Sequence, residues 1–89
     1  MKFIYNQKLY DTDTARKIGE FNNGHEYGSD YYIEESLYRK EKGEFFLVAF
    51  GYGPSSEVIP LTDKEAREWM DEHCEDAEIY IELWGPVEE

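Results

Sequence analysis

Two aspartates stand two positions apart, Asp11 and Asp13, and a histidine adjoins the only cysteine at His73-Cys74. Paired carboxylates at that spacing serve some phosphatases, one oxygen attacking phosphorus while the other carboxylate handles the proton. The surroundings do not fit: Ala15 stands where that motif has Thr or Val, and 89 residues cannot build the larger α/β scaffold such enzymes need. Interleaved with Thr12 and Thr14, both aspartates are accounted for by cap and turn duty. Zinc needs several donors, normally four with a paired spacing such as C-x2-C. Cys74 with the two histidines His25 and His73 makes no such set, and His73 is more simply the last residue of an apolar helix stripe. Neither a Ser-His-Asp set in a credible context, nor a glycine-rich phosphate loop, nor a basic patch for nucleic acid is present. The expectation is a protein that is not an enzyme, uses no cofactor or metal, and does not bind nucleic acid directly.

What remains is acid, unevenly placed. All nine Lys and Arg residues lie at or before Arg67, so residues 1–67 carry twelve acids against nine bases, whereas residues 68–89 carry nine acids and no base. Such self-repulsion destabilises a compact state. Glu68, Asp71, Glu72 and Glu75 recur about every helical turn of ~5.4 Å, and Asp76, Glu78 and Glu82 extend the field. Carboxylates at that interval resemble successive phosphates of a nucleic-acid strand. These seven residues are the candidate partner-binding surface, and a basic nucleic-acid-binding protein is the partner that fits. The plain alternative is a solvated face that keeps a small protein soluble. Tyr31, Tyr32 and Tyr52 beside such a field would anchor a contact or else fill a sheet.

The elements that must position this surface are those of one domain, residues 1–89. Lys2 to Tyr10 reads as a strand pair with a tight turn or as one bent strand. Asp11-Thr12-Asp13-Thr14 offers caps for a short helix from Asp13 to Ile18, with Ala15 and Ile18 inward and Gly19 as its C-terminal cap. Phe21 to Asp30 is dense in turn formers and reads as a loop, the segment most expected to move. Tyr31–Lys40 and Glu44–Tyr52 are strands joined by a turn with Gly43 in a positive-φ bulge position. The run Phe45 to Phe50 is apolar on both faces, which predicts a central strand covered by helix on one side and on the other by a partner or, more simply, the C-terminal segment. Val58 to Leu61 leads into the clearest helix, opened by the capping box Thr62-Asp63-Lys64-Glu65. Ala66, Trp69, Met70 and His73 form its inner stripe, with Lys64, Glu68, Asp71, Glu72 and Glu75 outside. Asp76 to Trp84 is read as a second short helix over a strand, for its Asp76 cap and Gly85-Pro86 stop. The predicted fold is α+β: a small antiparallel sheet of about four strands, one main amphipathic helix and short flanking helices.

No apolar run approaches the ~20 residues that span a bilayer. The N-terminus lacks the pattern of a secretion signal and one cysteine forms no internal disulfide, so a cytoplasmic location is expected.

The chain resembles a family of small acidic proteins encoded on phages, plasmids and integrated elements of bacteria. The resemblance rests on Tyr10-Asp11-Thr12 with Thr14-Ala15 and Ile18-Gly19, on Glu35 with Leu37-Tyr38-Arg39, Gly43 and Phe46-Leu47, and on Ile59-Pro60-Leu61-Thr62 with Glu65-Ala66 and Trp69. Relatives tend to carry a longer glycine-rich insert where this chain runs from Leu47 to Ile59. The resemblance implies an inhibitor of bacterial defence, anti-CRISPR proteins among the class, acting in the host cytoplasm on a CRISPR effector complex. The other expectation is a regulatory or structural module of a mobile element, antitoxin-like or homo-oligomeric, and the residues leave the oligomeric state open.

Overall fold

Residues 1–51, 55–73 and 76–88 are described by a computed structural model. The chain begins with the expected strand pair, β1 (Lys2–Tyr5) and β2 (Lys8–Asp11), antiparallel with Phe3 opposite Tyr10 and Ile4 opposite Leu9. Asn6 and Gln7 connect them at φ 51° and 63°. Positive φ at both central residues is what a type I′ turn requires, and its twist matches that of the flanking strands.

Four further strands form a second antiparallel sheet: β3 (Arg16–Asn22), β4 (Glu34–Arg39), β5 (Phe45–Phe50) and β6 (Glu57–Leu61), side by side in chain order. Two helices follow, α1 (Asp63–His73) and α2 (Ala77–Trp84). The architecture is therefore α+β as expected, with two sheets among the described residues, of two and four strands, in place of one.

The helix expected from Asp13 to Ile18 does not form, and Gly19 caps nothing. Instead the Asp13 amide donates to Asp11 Oδ1 at 2.9 Å and the Ala15 amide to the Asp11 carbonyl at 3.1 Å, closing a turn that delivers Arg16 into β3. The side chains that cap a helix also close such a turn. Here the longer-range pairing decides: β3 aligns with β4 from Arg16 opposite Arg39 to Asn22 opposite Glu34, with a bulge between Lys17 and Gly19. Gly19 has a packing reason instead. A Cβ there would come within 2.8 Å of Trp69 Cζ3 and 3.0 Å of Met70 Sδ, so the missing side chain lets α1 lie close to the sheet.

The turn between β4 and β5 is as expected, with Gly43 at φ 101° and its amide donating to the Lys40 carbonyl at 2.8 Å. β5 is an interior strand, buried from Phe45 to Ala49. Each of its faces has a different cover. Phe45 and Leu47 join Ile18 and Leu37 under Ala66, Trp69, Met70 and Tyr80 of the helices. Phe46 and Val48 lie under the N-terminal hairpin, where the Tyr10 ring meets Phe46 edge-on at 5.3 Å. The second cover is thus the beginning of the chain, and neither a partner nor the C-terminal segment is needed there. Phe46, Leu37 and Met70 are the largest wholly buried side chains among the described residues, and truncating such a residue to alanine costs roughly 2–5 kcal/mol.

Candidate protein-binding surface

The acidic helix is fixed at its start by a reciprocal cap. The Glu65 amide donates to Thr62 Oγ1 at 3.1 Å and the Thr62 amide to Glu65 Oε1 at 2.9 Å. The Thr62 amide, and after it the Thr62 hydroxyl, hold the Glu65 carboxyl below its ordinary value. Ala66, Trp69 and Met70 point inward, and Trp69 Nε1 donates to Glu35 Oε1 of β4 at 2.8 Å. His73 ends the stripe, its ring 4.2 Å from Phe21 and 4.9 Å from Trp69. With that side committed to the sheet, Lys64, Glu68, Asp71 and Glu72 are left exposed on the outer side.

The second helix is the expected one. Its N-cap is Asp76, whose Oδ1 accepts from the Glu78 amide at 3.0 Å, and Gly85 closes it at φ 87° with its amide on the Ile81 carbonyl. Tyr80 turns inward and its hydroxyl accepts from Arg67 Nε at 2.9 Å, while Trp84 stacks on Phe45 at 5.6 Å. Trp84 Nε1 also donates to Asp63 Oδ1 at 3.2 Å, which ties the end of α2 to the start of α1.

The seven candidate residues consequently divide. Glu68, Asp71 and Glu72 share the outward side of α1, and Glu78 is exposed in the first turn of α2. Among the described residues, no Lys or Arg forms an ion pair with any of these four; Glu72 lies 3.8 Å from His73 Nε2. Asp76 is spent partly as a cap. Glu82 is engaged by Arg16, both guanidinium NH groups donating to its two carboxylate oxygens, and this holds its carboxyl below the ordinary value and raises the arginine. Expected on the acidic field, Glu82 instead clamps α2 to β3. Glu75, Cys74 and Tyr52 lie outside the described residues. No group of three or more His, Cys, Asp or Glu side chains among the described residues is placed to hold a metal ion, and none of their helices is long and apolar enough to cross a membrane.

A second acidic region was not anticipated. Residues 18–38 contain Glu20, Glu26, Asp30, Glu34 and Glu35 and no Lys or Arg, a stretch of sequence that marks it. It forms the loop-bearing end of the four-stranded sheet, braced by Asn23, whose Oδ1 accepts from the Ile33 amide at 3.2 Å and whose Nδ2 donates to the Tyr31 carbonyl at 2.6 Å. Tyr27 and Tyr31 stand out from it at 79% and 73% exposure. Tyr31 is therefore no sheet-filling residue, whereas Tyr32 is half-buried and donates its hydroxyl to Glu34 Oε2 at 2.9 Å, a bond that raises the phenol.

Cations gather at the opposite end. Arg16 faces Arg39 across the sheet, Lys40 Nζ sits 3.8 Å from the centre of the Tyr10 ring, and Lys8 bonds Glu44 at 3.2 Å. Like charges placed opposite each other destabilise a strand pair, and Glu82 offsets this one, since Arg39 also helps to lower its carboxyl. The folded chain is thus polarised as well as acidic.

No protein-family model matches the chain, and no solved structure matches it.

Proposed function

We propose that this chain is a non-catalytic inhibitor that docks its helix layer on a basic, nucleic-acid-handling protein of a bacterial defence system, an anti-CRISPR activity, and so keeps nucleic acid out of that protein's groove. The observation that carries the reading is the exposure of Glu68, Asp71, Glu72 and Glu78 without a Lys or Arg ion pair among the described residues. A fold this small that leaves such a field without cationic ion pairs among its described residues gains long-range attraction for a positive groove, worth about 10- to 1,000-fold in association rate. That attraction fades as salt shortens the Debye length from ~10 Å at 0.1 M toward ~3 Å at 1 M. The defence setting comes from the resemblance to mobile-element proteins. Adding the protein to purified CRISPR effector complexes is expected to reduce their DNA binding, more strongly at low salt. If no complex in such a panel loses DNA binding at low salt, the defence reading is wrong.

A second reading has its own observation. Ile4 and Leu9 are cross-strand neighbours on the hairpin, 72% and 49% exposed, and an apolar pair there suits a homo-oligomer or a regulatory partner. Light scattering after size exclusion separates the two: an oligomer unchanged by salt and dissolved by Ile4→Lys supports it, and a monomer at all concentrations removes it.

A further inference from the structure

On the side of the sheet away from the helices, the N-terminal hairpin covers only part of the surface. Its Phe3 and Tyr10 sit over Phe46, Val48 and Tyr38. Beyond Met1 and Thr12 no described residue covers the sheet, and a cavity of about 280 Å³ lies there. Its floor is the cross-strand pairs Ser36 with Val48 and Glu34 with Phe50. The loop between β3 and β4 supplies the far wall through Tyr27, whose ring is nearly parallel to that of Phe50 at 17° and 6.2 Å between centres.

Three features define what this groove accepts. The volume lies under the roughly 300–1,000 Å³ of small-molecule sites, so it suits one side chain better than a cofactor. Aromatic faces at Tyr27 and Phe50 attract a cation through the ring quadrupole, and a flat guanidinium stacks on them where an ammonium does not. The rim is negative: Glu34 lines the cavity and is oriented by the Tyr32 hydroxyl at 2.9 Å, while Glu26 and Asp30 are exposed in the adjoining loop. Both cations among the described lining residues already have partners: Lys17 is bonded to Glu20 at 2.5 Å, and the Met1 ammonium donates to Thr12 Oγ1 at 3.0 Å and lies 3.7 Å from Asp13.

From this juxtaposition we infer that the groove between Tyr27, Phe50 and Glu34 receives an arginine side chain projecting from a protein partner. Guanidinium donors would meet the Glu34 carboxylate and the Ser36 hydroxyl while the plane lies against the aromatic faces. The site is on the opposite side of the sheet from the acidic helices, so it does not depend on the function proposed above.

The test is an amide NMR titration with the blocked peptide acetyl-Gly-Gly-Arg-Gly-Gly-amide, beside the same peptide carrying lysine or the neutral isostere citrulline. A single side chain should bind with a dissociation constant on the order of millimolar, with saturable shifts at residues 26–36 and 48–50. Citrulline should bind at least tenfold more weakly and lysine several-fold more weakly. Tyr27→Ala should abolish the shifts; because Tyr27 is so exposed, its spectrum otherwise stays that of the folded protein, and Glu34→Gln serves as the second variant. Equal binding of citrulline and arginine, shifts confined to Glu68, Asp71 and Glu72, or undiminished binding by folded Tyr27→Ala and Glu34→Gln would each overturn the assignment.

Discussion

Gly19→Ala adds one methyl group where the sheet and α1 come closest. On backbone grounds alone it should help, because glycine in a strand costs roughly 0.5–1 kcal/mol relative to alanine. The packing says otherwise: the new Cβ would stand 2.8 Å from Trp69 Cζ3 and 3.0 Å from Met70 Sδ, with Trp69 Cη2 at 3.4 Å. None of these atoms moves freely. Trp69 is buried and its Nε1 is held by Glu35 at 2.8 Å, and Met70 is wholly buried. Overpacking of a core costs about 1–3 kcal/mol, so after the backbone gain is deducted the net change is a destabilisation of up to about 2.5 kcal/mol, with a mid-value of about 1.25 kcal/mol. For a domain of this size each kcal/mol shifts the melting temperature by about 4–8 °C, which puts the fall expected from the mid-value at roughly 5–10 °C. Urea unfolding followed by tryptophan fluorescence gives the free energy directly. Trp69→Phe shortens the opposing ring, and in that background Gly19→Ala should cost less than it does alone. A stabilised Gly19→Ala, or equal costs in both backgrounds, would refute the close approach of α1 to β3 as the reason for glycine.

Two more outcomes follow from the caps and clamps. Thr62→Ala removes the hydroxyl that accepts the Glu65 amide and should lower stability by about 1 kcal/mol, read as a lower urea midpoint at unchanged slope; an unchanged midpoint means the cap contributes nothing. Because Arg16 holds the Glu82 carboxyl below its ordinary value of 4.5, their pairing stabilises the fold fully above about that pH and is lost as pH falls through the lowered value. Wild type and Glu82→Gln should therefore differ in urea midpoint at pH 7 and converge toward pH 3, and a difference that stays constant across that range would contradict the clamp.

Elements whose cause is local could be read from the chain. The Thr62-to-Glu65 cap, the glycine of the turn after Lys42, the Asp76 cap and the Gly85 stop each act within a few residues, and each appears as expected. Asp11 to Thr14 misled because an aspartate that caps a helix and one that closes a turn make the same kind of bond to a nearby amide. Only the alignment of Arg16–Asn22 with Glu34–Arg39, more than ten residues away, decides between them. Gly19 was legible as a special position, but its reason lies in Trp69 and Met70, fifty residues on. For the acidic field the division is similar. The periodicity of Glu68, Asp71 and Glu72 placed them outside α1, whereas the capture of Glu82 by Arg16 joins two ends of the chain that no spacing rule connects. The aromatic groove is assembled from a loop and two strands at Tyr27, Glu34 and Phe50, and only the five acids without a base in residues 18–38 hinted at it.

Docking of the helix layer depends on where the negative charge sits rather than on how much there is. Two triple variants separate these: Glu68, Asp71 and Glu72 changed to lysine on α1, and Glu41, Glu57 and Glu88, also exposed but outside both helices, changed likewise. Each raises the net charge of −12 by six. The decisive measurement is displacement of labelled DNA from an effector complex that the wild type inhibits, followed by fluorescence anisotropy at one fixed ionic strength. The helix triple is expected to lose displacement at least a hundredfold while the control triple loses a few-fold at most. Equal losses would mean that net charge alone acts, and an undiminished helix triple would mean that the partner docks elsewhere.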